Sequence, residues 1–256
     1  MSAGADTTPV IGVLGAGVMG SGIAQVTALA GCPTYCYDPD ADARGRGLAE
    51  VTTGRFGLDG AVARGKRTRD EADAALARIT FTDSFEQAAG ADVVIEAVPE
   101  KLDLKIKVFR DLDRVAPAGT ILASNTSGFP IAALAAATDR PSRVIGWHWA
   151  SPAPVMRLAE IVRTEATDDD VIATISDLAA RCGKNPVVVN DAPTSWGFVA
   201  NRIYFAMLRE ASRVVSEGVA TREQVDQLMV DCYRWPAGPY GMVQGAGSGW
   251  SGGSAG

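Results

Sequence analysis

The architecture of this chain can be read outward from residues 10–38, VIGVLGAGVMGSGIAQVTALAGCPTYCYD. The short run Val10–Leu14 reads as a buried strand, Met19–Ala30 carries apolar residues at helical spacing and is closed by Gly31, and Thr34–Asp38 reads as a second strand. A strand, a helix and a strand in so short a span form a unit whose two strands lie parallel. At the first strand-to-helix junction stands Gly15-Ala16-Gly17-Val18-Met19-Gly20. The first glycine suits a tight turn, the second lets a pyrophosphate approach the backbone, and the third lets helix and strand pack closely. Amides at the helix start then face the phosphates. Asp38 closes the second strand eighteen residues after Gly20. A carboxylate there accepts hydrogen bonds from both ribose hydroxyls and repels a 2′-phosphate, so the expected cofactor is NAD and not NADP.

Further strands fit Asp92–Glu96, Thr120–Ser124, Arg143–Trp149 and Val187–Val189. Their alternation with helical segments predicts an α/β fold of the Rossmann type, a doubly wound and mainly parallel sheet. Residues 41–79 turn polar and charged, with a break at Ala63-Arg64-Gly65-Lys66-Arg67, and predict an inserted helical hairpin. Beyond Val189, Phe198–Glu217 and Thr221–Cys232 read as helices of a smaller all-α domain, the second opened by a capping box of Thr221 and Gln224. The expected organisation is a flexible start over 1–8, a dinucleotide-binding domain over 9–190, a helical domain over 191–246 and a flexible tail over 247–256.

A net charge of −6 argues against nucleic acid or an anionic membrane as main partner, since both call for a broad basic face. The longest uncharged run, Val115–Thr138, holds Asn125, Gly128, Pro130 and several hydroxyls, and so does not supply the roughly 20 mainly apolar residues of a membrane span. Four scattered cysteines and one histidine offer no zinc set, and the cysteines read as buried thiols in a reducing compartment. The first residues lack the basic start and apolar block of a secretion signal, which makes the cytoplasm the expected location.

The one histidine, His148, stands between Trp147 and Trp149 just before Pro152-Ala-Pro154. Oxidising an alcohol by hydride transfer needs a group that takes the hydroxyl proton, and one titrating near neutrality suits that best. Positions 148 and 160 are symmetric about Pro154, so two antiparallel strands joined at this corner would set His148 opposite Glu160. The facing carboxylate would fix the tautomer and stabilise the imidazolium.

Gly-Ala-Gly-Val-Met-Gly-Ser-Gly-Ile-Ala-Gln from Gly15, Ile-Glu-Ala-Val-Pro-Glu from Ile95, Ala-Ser-Asn-Thr-Ser from Ala123 and the His148 segment together resemble the L-3-hydroxyacyl-CoA dehydrogenases. The resemblance implies an NAD-dependent enzyme acting on an acyl-CoA-type substrate, with His148 as base, Glu160 orienting it, and Ser127 and Asn201 contacting substrate. It likewise implies cofactor contacts at Ala97, Glu100, Lys105 and Asn125, a coenzyme A phosphate near Lys66 and Arg67, and a homodimer formed through the helical domain. Ser151 stands where the family places a substrate-holding asparagine, and a hydroxyl reaches less far than a carboxamide. Ala192–Gly197 carries three residues more than the usual connection, which sets Trp196 near the substrate mouth. Two rival readings stay open: a dehydrogenase of a free hydroxy acid of gulonate or carnitine type, and a catalytically silent NAD-binding protein.

Overall fold

The computed structural model describes residues 8–248, so the flexible segments expected at either end, 1–8 and 247–256, lie almost wholly outside the described residues. In chain order the first part runs β1 (Ile11–Leu14), α1 (Val18–Leu29), β2 (Thr34–Tyr37), α2 (Ala41–Thr52), α3 (Leu58–Ala63), α4 (Arg69–Leu76), β3 (Ile79–Thr82), α5 (Phe85–Ala89) and β4 (Val93–Glu96). It continues with α6 (Leu102–Val115), β5 (Ile121–Ser124), α7 (Ile131–Ala135), β6 (Val144–Trp149), β7 (Leu158–Arg163), α8 (Asp169–Arg181) and β8 (Asn185–Asn190). These strands form one sheet in the order β3-β2-β1-β4-β5-β6-β7-β8. Every pairing is parallel except β6 with β7. The strand order reverses between β1 and β4, and in such sheets ligands bind outside the strand ends at that point.

Helices cover both faces, so the central strands are apolar throughout and β1, β4 and β5 are buried along their whole length. On β6, Ile145, Trp147 and Trp149 belong to one core with α1 and α8, whereas Val144 belongs to the opposite core with α7 and Phe198. The alternation of a strand therefore explains the placement of the histidine: its tryptophan neighbours fill one core and His148 projects to the other face.

Two expectations need correction. The insertion after β2 holds three helices instead of a hairpin, because Thr53-Gly54-Arg55-Phe56-Gly57 breaks it a second time before Gly57 starts α3. The expected break at 63–67 is present, and Thr68 with Glu71 forms the capping box that opens α4. The insertion also ends in a strand absent from the sequence reading, β3, which adds to the edge of the sheet beside β2. Of the cysteines, Cys32, Cys36 and Cys182 are buried, but Cys232 is exposed, contrary to the reading of all four as buried.

The chain divides into two compact units between Phe198 and Val199. The second holds α9 (Val199–Ser216), α10 (Arg222–Tyr233) and a third helix, α11 (Pro239–Ser248). The capping box of Thr221 and Gln224 opens α10 as expected, and the Asp226 carboxylate accepts the amides of Tyr240 and Gly241 at 2.8 Å each, capping α11. No described helix is long and apolar enough to cross a membrane.

Candidate active site

The glycine-rich turn does what its three glycines demand. Gly15 sits at φ +102°, where a side chain is strained, and a Cβ there would lie 2.7 Å from the Ala97 carbonyl oxygen. At Gly20 a Cβ would fall 1.7 Å from the Gly15 carbonyl oxygen, so the helix could not pack so closely on the turn. Gly17 faces open space, and no side chain caps α1. The first-turn amides, at Val18, Met19 and Gly20, thus have no side-chain acceptor, which is the arrangement an anion requires. Asp38 is locked beside them: its Oδ2 accepts the Ala16 amide at 2.9 Å and its Oδ1 that of Asp40 at 3.0 Å.

His148 and Glu160 are direct cross-strand partners on β6 and β7. Nδ1 of the imidazole lies 2.7 Å from Oε2 of Glu160, and both residues are buried, at 5% and 3% exposure. Phe198 closes one side of the ring, with centroids 5.9 Å apart. The second ring nitrogen, Nε2, has no hydrogen-bond partner among the described residues. Nor is it among the polar atoms sealed from solvent without one, which are Arg143 Nε, Trp147 Nε1 and Trp149 Nε1. One nitrogen is thus held by a carboxylate while the other points to accessible space.

A buried ionic network, which the sequence reading did not anticipate, ties this face together. Lys105 Nζ donates to Glu96 Oε1 at 2.7 Å and to the Val98 carbonyl at 3.3 Å, and lies 3.1 Å from Glu100 Oε2. Glu96, fully buried, also accepts the Ser124 hydroxyl at 2.6 Å and the Val98 amide at 2.8 Å. Burial pushes the Glu96 carboxyl above the usual range, and the donors converging on it pull it back. Glu100 Oε1 in turn accepts the Thr126 hydroxyl at 2.6 Å and the Ser127 amide at 2.9 Å. Asn125 Oδ1 accepts the Trp149 amide at 3.0 Å, pinning the end of β5 to the end of β6. The ends of β4, β5 and β6 are thereby fixed relative to one another.

The structure brings the other expected site residues together only in part. Ala97, Glu100, Asn125 and Ser127 follow β4 and β5 on the edge that also carries the glycine turn. Lys105 is 1% exposed with its ammonium engaged by three acceptors, so it serves this edge through Glu96 and Glu100. Ser151 is exposed at the start of the corner between β6 and β7. Lys66 and Arg67 are exposed on the turn between α3 and α4. Asn201 lies on α9 in the second unit. Trp196 is 51% exposed and packs against Gly128, the neighbour of Ser127.

Comparison with known proteins places this geometry. Residues 10–192 match the family description "3-hydroxyacyl-CoA dehydrogenase, NAD binding domain" and residues 197–255 match its C-terminal domain. The chain is 43% identical over 231 residues to a probable 3-hydroxybutyryl-CoA dehydrogenase of Bacillus subtilis, covering 90% of this chain and 78% of that one. It is 40% identical over 240 residues to a 3-hydroxybutyryl-CoA dehydrogenase of Mycobacterium tuberculosis, covering 91% and 80%. Among solved structures, the (S)-3-hydroxybutyryl-CoA dehydrogenase of Ralstonia eutropha superposes with a TM-score of 0.87 at 38% identity, covering 92% and 81%.

Proposed function

The chain belongs to the 3-hydroxyacyl-CoA dehydrogenase family and is an NAD-dependent dehydrogenase, and from that premise we propose that it interconverts a short-chain L-3-hydroxyacyl-CoA and the 3-ketoacyl-CoA with His148 as general base and acid. The observation that carries this reading is the pairing of His148 Nδ1 with Glu160 at 2.7 Å, which leaves Nε2 to exchange a proton with the substrate hydroxyl. Glu160 keeps the Nδ1 proton in place and stabilises the imidazolium that forms on oxidation. Ser127, held through its amide by Glu100, positions a substrate oxygen, and Ser151 and Asn201 are the further substrate contacts that the family resemblance implies. Donors aimed in advance at a developing oxyanion lower the barrier by several kcal/mol. The site fits a dinucleotide: Gly17 leaves room for its phosphates, and Asp38 is locked where a ribose would lie. NAD supplies the hydride acceptor when bound. Residues Gly15 to Gly20, Asp38, Ala97, Glu100 and Asn125 would hold it, with Lys105 acting through Glu100. Homodimerisation is assigned to the second unit, whose Ile203, Leu228 and Tyr233 are more than 60% exposed.

Replacing Asp38 with Ala is expected to raise KM for NAD roughly 10- to 100-fold, the value of hydrogen bonds to a charged acceptor, and to narrow the preference over NADP. Steady-state kinetics with both cofactors checks this. The substrate class is tested by NADH consumption with acetoacetyl-CoA against acetoacetate. A kcat/KM at least about tenfold higher for the thioester is expected. Preference for the free acid would make the protein a hydroxy-acid dehydrogenase, and NADH binding without turnover on either would make it a silent binder.

A further inference from the structure

Residues 196–198 join the two sides of the reaction centre. Gly197 donates its amide to the Gly128 carbonyl at 3.1 Å, which ties this stretch to the residue after Ser127. Phe198 follows at once and lies against the His148 imidazole, with centroids 5.9 Å apart. Trp196 stands just before these two anchors. Ahead of it the Ser195 amide donates to the Ala192 carbonyl at 3.0 Å and closes a turn. Gly197 takes φ +89°, a conformation that side chains rarely adopt. The backbone of Trp196 is therefore held from both sides.

The indole is also held close to Ser127. A Cβ on Gly128 would lie 2.8 Å from Trp196 Cε2 and 2.4 Å from the Gly197 nitrogen, so the ring can approach here only because position 128 is glycine. Adjacent Cα atoms stand about 3.8 Å apart, which puts Cε2 within about 8 Å of the Ser127 Cα. With a substrate oxygen on Ser127 and the reacting carbon within reach of His148 Nε2, a wall at that distance stands beside the chain that the reacting carbon carries.

Packing alone does not account for this ring. Trp147 and Trp149 fill the core at 0% and 2% exposure, whereas Trp196 remains half exposed. A single exposed apolar residue is ordinary on a protein surface. This one is pinned one residue from Ser127, and a rigid aromatic with open apolar surface gains when an alkyl group covers it. The polar groups nearby are committed elsewhere: the Thr126 hydroxyl and the Ser127 amide bond to Glu100, and Asn125 Oδ1 accepts the Trp149 amide. An apolar acyl tail therefore has the indole, and not these groups, to pack against.

We propose that Trp196 is the wall that ends the acyl pocket, and that it sets a preference for a four-carbon acyl group over longer ones. The assignment rests on the acyl-CoA reading above and deepens it by giving chain-length selection to one side chain. A terminal methyl packs on the indole, and a longer chain runs into it. One methylene too many in an apolar pocket is discriminated by roughly 10- to 200-fold. The test follows NADH consumption with 3-ketoacyl-CoA thioesters of four, six, eight and ten carbons in the wild type, Trp196→Ala and Trp196→Leu. In the wild type kcat/KM is expected to fall at least about tenfold from four carbons to ten, and in Trp196→Ala the ratio of the ten-carbon to the four-carbon value should rise at least about tenfold. Trp196→Leu, closer in bulk, should shift the ratio in the same direction by less, and it decides by that ratio if the alanine variant does not fold. A general loss of activity cancels in the ratio. An unchanged ratio would make Trp196 a brace of the loop, and a falling one would make it a platform for long chains; either overturns the proposal. A wild type that turns over all four lengths equally would remove the wall while the dehydrogenase reading stands. Turnover of no thioester at any length would sink the acyl-CoA reading and the wall with it.

Discussion

His148→Gln is expected to lower kcat by at least about a hundredfold while leaving the affinity for NADH within about twofold. General acid–base catalysis by a positioned group contributes roughly 10²- to 10⁴-fold, and glutamine retains polarity and approximate size but cannot carry the proton. The environment offers no substitute: His148 is the only histidine, and its ring lies between Glu160 and Phe198. The glycine turn and Asp38 belong to β1 and β2, three and four strands away from β6 in the sheet order, so their grip on the cofactor has no reason to change. Stopped-flow oxidation of NADH with acetoacetyl-CoA measures the first quantity and fluorescence titration of NADH the second. A variant that keeps a tenth of wild-type turnover with an unchanged melting temperature would show that some other group moves the proton.

The residues behind that expectation were legible in the sequence because each rests on a short-range rule. The glycine turn is read from one local junction, and the His148–Glu160 pair follows from symmetry about Pro154 in a two-stranded corner. What escaped the reading depends on distant partners. β3 is four residues long and partly exposed, and it is a strand only because β2 offers it a parallel edge. The second break in the insertion rests on a close approach, since a Cβ at Gly57 would lie 2.7 Å from the Thr52 carbonyl oxygen. The pairing of Glu96 with Lys105 was not legible, because nothing in their spacing announces that α6 turns back over the end of β4.

Lys105→Met is expected to destabilise the fold by about 3–5 kcal/mol, because it leaves Glu96 buried without its counter-ion. At roughly 2–4 °C per kcal/mol for a chain of this size, the melting temperature should fall by about 6–20 °C. The deficit should depend on pH with a definite sign. Burial already raises the Glu96 carboxyl above its ordinary range, and removing Lys105 removes the largest influence that lowers it. A carboxyl with a higher pKa folded than unfolded favours the folded state at low pH and loses that contribution as pH rises through the folded value. The melting temperature of Lys105→Met should therefore lie nearer to wild type at pH 5 than at pH 8. Adding Glu96→Gln should recover part of the loss, since a buried pair replaced by neutral groups costs less than one broken in half. Turnover should not recover with it, because Glu100 still lacks the cation 3.1 Å away that steadies its grip on Thr126 and the Ser127 amide. Recovery of stability with turnover still low would assign the network to the placement of Ser127; recovery of both would confine it to holding β4 against α6.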